Sequence, residues 1–158
     1  MALKQAAIGC QLWIGDGGSP EQFFQVPSVG DFTGPKKKTS TIDTTTHDSD
    51  SGYMDFISSL KDGGEVPFPM EFDPNAIEHN ETATVAGVNA GGLHYLFEQR
   101  VKRNMRVALP TSPATRFRFL GLVTGLDADL KVKGSIKSNV IIKVSGKPTL
   151  ELGTGNGA

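Results

Sequence analysis

The chain has 158 residues, 37% of them hydrophobic and 21% charged, with a formal net charge of −1. That is enough chain for one domain with a real core, and it gives no global attraction to nucleic acid or an anionic membrane. Cys10 is the single cysteine, which excludes an intramolecular disulfide and a thiolate zinc cluster and favours a reducing compartment.

The N-terminus has one early lysine and an apolar stretch broken by Gln5 and Gln11, a poor signal peptide. No run reaches the roughly 18 apolar residues of a membrane span. Ile8, Cys10, Leu12 and Ile14 alternate with more polar or smaller neighbours, which predicts a half-buried strand ending at the Gly15–Pro20 turn. The next segment, Glu21–Pro35, reads as a strand interrupted by Pro27 and Gly30, and Lys36–Thr45 as an extended, β-branched stretch. From Asp43 to Gly64 there is no strand alternation and hardly any helical stripe. Compact domains seldom carry structureless connections longer than about 12–15 residues unless these are functional or disordered.

Val66, Phe68, Met70 and Phe72 then share one face, with Pro67 and Pro69 on the other. Both missing N–H groups lie on the same side of such a strand, so it is expected at a sheet edge. Residues 75–92 read as a loop leading into one helix, expected over residues 90–104, with Asn89 as N-cap. Its stripe is Leu93, Leu96, Phe97 and Val101, and Glu98 with Lys102 forms a favourable pair. Three strands follow, around Met105–Leu109, Phe117–Val123 and Ile136–Val144; the 19 glycines fit a turn-rich fold. Residues 1–150 are expected to form one mainly β domain, a β-sandwich or partly closed barrel with one flanking helix and a long polar loop. Residues 151–158 are expected to be a frayed tail.

Candidate chemical constellations are weak. Asp43, His47, Asp48 and Asp50 lack both EF-hand and HExxH spacing and read as a solvated polar loop. Gly87–Gly92 lacks the lysine of a phosphate-binding loop. Arg100, Lys102, Arg103 and Arg106 read as solvated cations at a helix C-terminus, without an aromatic stacking platform. Neither His47 and His79, in irregular polar stretches, nor His94, on the helix boundary, completes a nucleophilic triad, and Cys10 reads as a small core residue. No catalytic, metal or cofactor site is expected. Tyr53 and Phe56 read as apolar anchors that pack under the loop or against another chain. One competing reading is a ligand- or carbohydrate-binding β-sandwich module of a virion or secreted protein; one Trp and two Tyr supply few stacking aromatics for it.

Gly15–Pro35, Ser40–Pro74, Phe117–Leu126 and Ile141–Leu150 in succession closely resemble the major tail tube protein of long, non-contractile-tailed bacteriophages of the lambda type. The most specific block is Thr46–Val66, followed by Phe72–Pro74 and the closing Gly146–Thr149. The resemblance implies a β-sandwich with a flanking helix that assembles into hexameric rings, stacked into a tube for DNA ejection. It implies sister copies as the main partner, with tape measure, tail terminator and tail tip proteins, and genomic DNA passing without specific binding. The expected location is the virion tail, after synthesis in the host bacterial cytoplasm. Because the sequence ends soon after Leu150, no additional immunoglobulin-like domain, of the kind some relatives carry, is expected.

Under this resemblance the segment from Thr44 to Asp62 is expected to be an assembly arm. An extended chain of about 20 residues spans some 65 Å at roughly 3.3 Å per residue, enough to reach a neighbour. Its expected interface residues are Thr46, His47, Asp48, Tyr53, Phe56, Leu60, Lys61 and Asp62, with the edge prolines Pro67 and Pro69. Sheet edges of adjacent copies are expected to join by strand addition. A near-neutral or negative lumen would let a polyanion slide past.

Overall fold

Stretches in which every second residue is apolar form the body of the molecule. The computed structural model describes residues 9–18, 21–31, 34–48, 52–83, 91–110 and 115–152, and these carry eight strands and one helix. Six strands make one antiparallel sheet: β1 (Gln11–Gly15), β2 (Phe23–Val26), β5 (Glu65–Glu71), β6 (Arg103–Ala108), β7 (Arg116–Leu126) and β8 (Lys137–Glu151). Their order across the sheet is β2-β1-β6-β7-β8-β5. β3 (Lys38–Asp43) and β4 (Phe56–Asp62) form a separate two-stranded antiparallel pair.

One face of the large sheet is the core. Leu12, Ile14, Phe24, Val26, Val66, Phe68, Met70, Met105, Val107, Phe119, Val123, Val140, Ile142 and Val144 are all buried on it. A seven-residue helix cannot cover so wide a face, so the sheet must curl over itself, one half packing on the other in the manner of a sandwich. Among the described residues, the two ends of the strand order meet at a bridge from Val29 to Met70, and the barrel stays open. Gly30 donates to the Pro69 carbonyl at 2.8 Å and Glu71 to the Ser28 carbonyl at 2.9 Å. The odd-numbered backbone groups of β5 therefore point away from β8. Pro67 and Pro69 place their missing donors on that outer edge, where no ladder bond is lost, as expected for an edge strand.

α1 (Leu93–Gln99) packs on β7 through buried Leu93 and Leu96. It is shorter than the expected 90–104. Arg100 adopts a left-handed conformation (φ 54°) and ends it, because Arg103–Ala108 is taken up by pairing with both β1 and β7. Lys102 thus lies beyond the helix and makes no helical pair with Glu98, while Arg103 and Arg106 belong to β6. The N-cap is Gly92 without a side-chain cap; Asn89 lies outside the described residues. Carbonyls of the preceding loop serve instead, accepting from Gly92 (Thr82), Leu93 (Glu78) and Tyr95 (Asn80).

That loop is pinned by His79, read from sequence as a residue of an irregular polar stretch and found fully buried. Its Nδ1 accepts from the Asp73 N–H at 3.2 Å, so Nε2 carries the proton and donates to the Pro27 carbonyl at 2.9 Å. The ring stacks on Phe72 with centroids 6.1 Å apart. β8 runs further than expected, through Gly146–Leu150 to Glu151, whose carboxylate takes a 2.5 Å hydrogen bond from Arg116 of β7. That bond holds the Glu151 carboxyl below the ordinary glutamate range. Residues 153–158, most of the expected tail, lie outside the described residues.

Candidate assembly surface

The polar excursion is not structureless. β4 pairs along β3, with Thr39 opposite Lys61, Thr41 opposite Ser58, Ile42 opposite Ile57 and Asp43 opposite Phe56. A bulge between Thr39 and Thr41 shifts the register. Thr44 and Asp55 extend the ladder by a 2.9 Å backbone bond, and the Asp55 N–H donates to the Thr45 hydroxyl. Asp43 accepts from the Thr45 N–H at 2.9 Å. Bonds from the Thr45 hydroxyl and then its backbone N–H hold the Asp43 carboxyl below the ordinary aspartate value. The expectation of no strand here fails for a physical reason: alternation arises when one face is buried, and neither face of this hairpin is.

Ile42 and Ile57 form a cross-strand apolar pair, yet they are 50% and 54% exposed. Tyr53 is 76% and Leu60 84% exposed, and Met54 and Phe56 are exposed with them. An isolated two-stranded hairpin is marginal in water, and here its apolar side chains have no body to bury them.

Among the described residues, the hairpin meets the body at its root. The Lys143 Nζ of β8 lies 3.1 and 3.2 Å from the two carboxylate oxygens of Asp62, which also accepts from the Gly64 N–H at 2.9 Å. Those contacts, the Gly64 bond first, hold the Asp62 carboxyl below its ordinary value. The Gly64 carbonyl accepts from Val144 at 3.0 Å. Gly64 has φ +80°, and a Cβ there would lie 2.2 Å from the Lys36 carbonyl oxygen; one at Gly63 would lie 2.6 Å from Val144 Cγ1. Only glycines allow the two strands to leave the body this close together. Between this root and a bulge of β8 lies a groove of about 730 Å3, lined among others by Lys37, Lys38, Lys61 and Lys147.

The residues expected at an interface thus fall into three places. Thr46, His47, Asp48 and Tyr53 sit around the hairpin tip, all exposed. Phe56, Leu60, Lys61 and Asp62 lie along β4 from tip to root. Pro67 and Pro69 are elsewhere, half-buried on the outer edge of the body sheet. Asp50 lies outside the described residues. Sequence reasoning missed Ile42, Met54 and Ile57, and, of the root-groove lysines, Lys37, Lys38 and Lys147. The run Lys36–Lys38, followed by no Lys or Arg until Lys61, was the available signal. It also missed Phe23, over whose ring the Arg106 guanidinium sits at 3.6 Å from the centroid. Among the described residues, no three His, Cys, Asp or Glu side chains gather as metal ligands, and no helix is long and apolar enough to cross a membrane.

No family model matches the chain, and no curated protein matches it in sequence. Solved structures match it in fold. A chain from the tail of an empty gene transfer agent particle, computed with helical refinement and C6 symmetry, superposes with TM-score 0.67 at 12% identity, covering 92% of this chain and 98% of that one. A chain of the six-fold symmetrised anti-feeding prophage baseplate gives 0.64 at 8% identity, covering both chains fully (100%). One from an extracellular contractile injection system, the PVC sheath/tube terminator in the extended state, gives 0.64 at 8% identity over 95% and 98%. The fold is one that occurs in the tails and injection devices of phage-like particles.

Proposed function

We propose that the chain is a non-enzymatic structural subunit of a virion tail that assembles into stacked hexameric rings, the tube through which DNA is ejected. The observation that carries this reading is the projecting hairpin. Ile42, Tyr53, Met54, Phe56, Ile57 and Leu60 are exposed on an element without a core of its own. A surface of this kind is satisfied by another molecule, and sister copies are the occupant a repeating tail supplies. Supporting it, the structures of like fold come from assemblies of six-fold symmetry. The free edge of β2, and the part of the β5 edge before Pro69, beyond which Ser28 and Gly30 already take the Glu71 N–H and the Pro69 carbonyl, offer strands for pairing between neighbours around a ring, with Pro67 limiting how far such pairing runs. Copies joined head to tail along the axis make a filament.

The finer reading is a tube of the long, non-contractile, lambda-like type. It carries with it tape measure, terminator and tip proteins as partners and genomic DNA as a passing, unbound cargo. Electron microscopy and sedimentation of the purified protein test the core of this proposal. Rings or tubes are expected from the intact chain, and a folded, non-polymerising protein after deletion of Thr46–Leu60. Normal tubes from the deletion variant would overturn the assembly role of the hairpin.

A further inference from the structure

The hairpin is electrically polarised along its length. Residues 39–60 contain no Lys or Arg but carry Asp43, Asp48, Asp50 and Asp55, while Lys36, Lys37, Lys38 and Lys61 flank them in sequence. Among the described residues the acids Asp43, Asp48 and Asp55 stand at or near the tip, all exposed. At the other end, the root groove is lined by Lys37, Lys38, Lys61 and Lys147, also exposed. Its one carboxylate, Asp62, is already engaged by Lys143 and the Gly64 N–H. None of those four lysines makes an ion pair among the described residues, where the ion pairs involve Arg116, Arg118, Lys131 and Lys143. The groove thus gathers four lysines around a single carboxylate, Asp62, which Lys38 also attracts, and the cleft keeps a net positive charge.

The tip cannot reach its own groove. From Lys38 to Thr45 the paired strand spans about 24 Å at roughly 3.4 Å per residue. The ladder from Lys38 and Asp62 up to Thr44 and Asp55 holds it extended. Tip and groove are therefore complementary charges at opposite ends of one extended hairpin, and complements that cannot meet within a molecule can meet between molecules. Resting on the tail-subunit reading, we propose that the acidic hairpin tip of one copy docks in the lysine groove at the hairpin root of a second copy. Such a contact joins two different surfaces, so it repeats head to tail and gives a stack with a polarity. Like charges brought together by a reversed stack would be repelled, which sets the direction of addition.

Charge reversal tests this. The variant D48K/D50K/D55K has a net basic tip and a basic groove; K37E/K61E/K147E has an acidic tip and a net acidic groove. Among the described residues, none of those substituted makes an ion pair, so wild-type thermal unfolding of each free variant is expected. Where a reversal lowers folding stability, the neutral variants D48N/D50N/D55N and K37Q/K61Q/K147Q replace it, and each alone is expected to raise the protein concentration needed for tubes. Each reversed variant alone is expected to need about tenfold or more protein to form tubes, since like charges across a contact suppress it strongly. An equimolar mixture of the two reversed variants is expected to assemble as the wild type does, because each tip then finds an opposite groove. Wild-type assembly is expected to weaken as salt rises from about 0.05 to 0.5 M, where screening shortens to a few ångströms. Normal tubes from either reversed variant alone, or no tubes from the mixture of two folded variants, would overturn the docking. If deletion of Thr46–Leu60 blocks assembly while the reversals do not, the hairpin still assembles the tail but not through this contact. If the deletion also leaves assembly intact, the reading beneath it falls too.

Discussion

The curled sheet and the projecting hairpin are built from the same kind of antiparallel ladder and have opposite fates. In the sheet, every strand turns one face inward, and residues such as Leu12, Met105 and Ile142 are fully buried. In the hairpin, the equivalent cross-strand pair Ile42–Ile57 lies half in water, and no residue of β3 or β4 is buried. Backbone pairing alone distinguishes neither. What differs is whether a second layer exists for the side chains to meet within one copy. The sheet supplies its own by curling; the hairpin has none, so its order must be completed from outside.

The sharpest way to break this comparison is to truncate matched side chains in the two regions. Phe119→Ala, in the core, is expected to lower unfolding free energy by about 3–5 kcal/mol. Leu60→Ala or Ile57→Ala should change it by less than about 0.5 kcal/mol in the free subunit, as exposed substitutions do. The order reverses in assembly: the hairpin variants are expected to impair polymerisation while remaining folded. Chemical denaturation beside sedimentation measures both. A hairpin truncation that costs as much folding stability as a core one would mean that the hairpin is packed on the body after all.

What was legible in the sequence follows from the same contrast. Strands β1, β2, β5, β6 from Met105 on, β7 and most of β8 show because burying one face imposes a period of two on the residues. β4 has no such face, and Phe56–Asp62 gave no signal although it is a strand. The helix was legible in its stripe, not in its length, because Arg100–Asn104 continues the helical pattern and only the left-handed Arg100 and the pairing of Arg103 and Asn104 in β6 end it. The edge position of β5 was readable from Pro67 and Pro69 alone. The burial of His79 was not, since its two partners, Pro27 and Asp73, lie in segments that come together only in three dimensions.

His79 offers a second, smaller test, placed where the body closes. Replacing it by Ala leaves the Asp73 N–H and the Pro27 carbonyl without their partner and empties a buried ring site. The expected loss is about 2–4 kcal/mol, the sum of unsatisfied polar groups and a cavity. Because the bond to Pro27 helps bring the β2 and β5 ends of the sheet together, hydrogen exchange at Gly30 and Glu71, whose amides bridge that seam, should quicken more than exchange at Met105. Uniform quickening would place His79 in the core like any other residue and deny it the seam.

The smallest expected effect is at the hairpin root, where the two regions join. Asp62 is held below its ordinary value of 3.8 by the Gly64 N–H and by Lys143. A carboxylate with a depressed folded value contributes its stabilisation above the unfolded value, and that contribution is lost as pH falls through the folded one. The clasp should therefore be intact at neutral pH and begin to release only below about pH 4. Both partners are partly exposed, so the consequence for global stability is slight. The local consequence is measurable: the Gly64 amide, which donates to the carboxylate, should shift in an NMR titration as Asp62 protonates. In Asp62→Asn that step should vanish from the Gly64 resonance while the body's resonances titrate unchanged. A Gly64 titration that persists without the carboxylate would remove Asp62 from the joint, leaving the two glycines and the Gly64–Val144 backbone bond to set the angle of the hairpin.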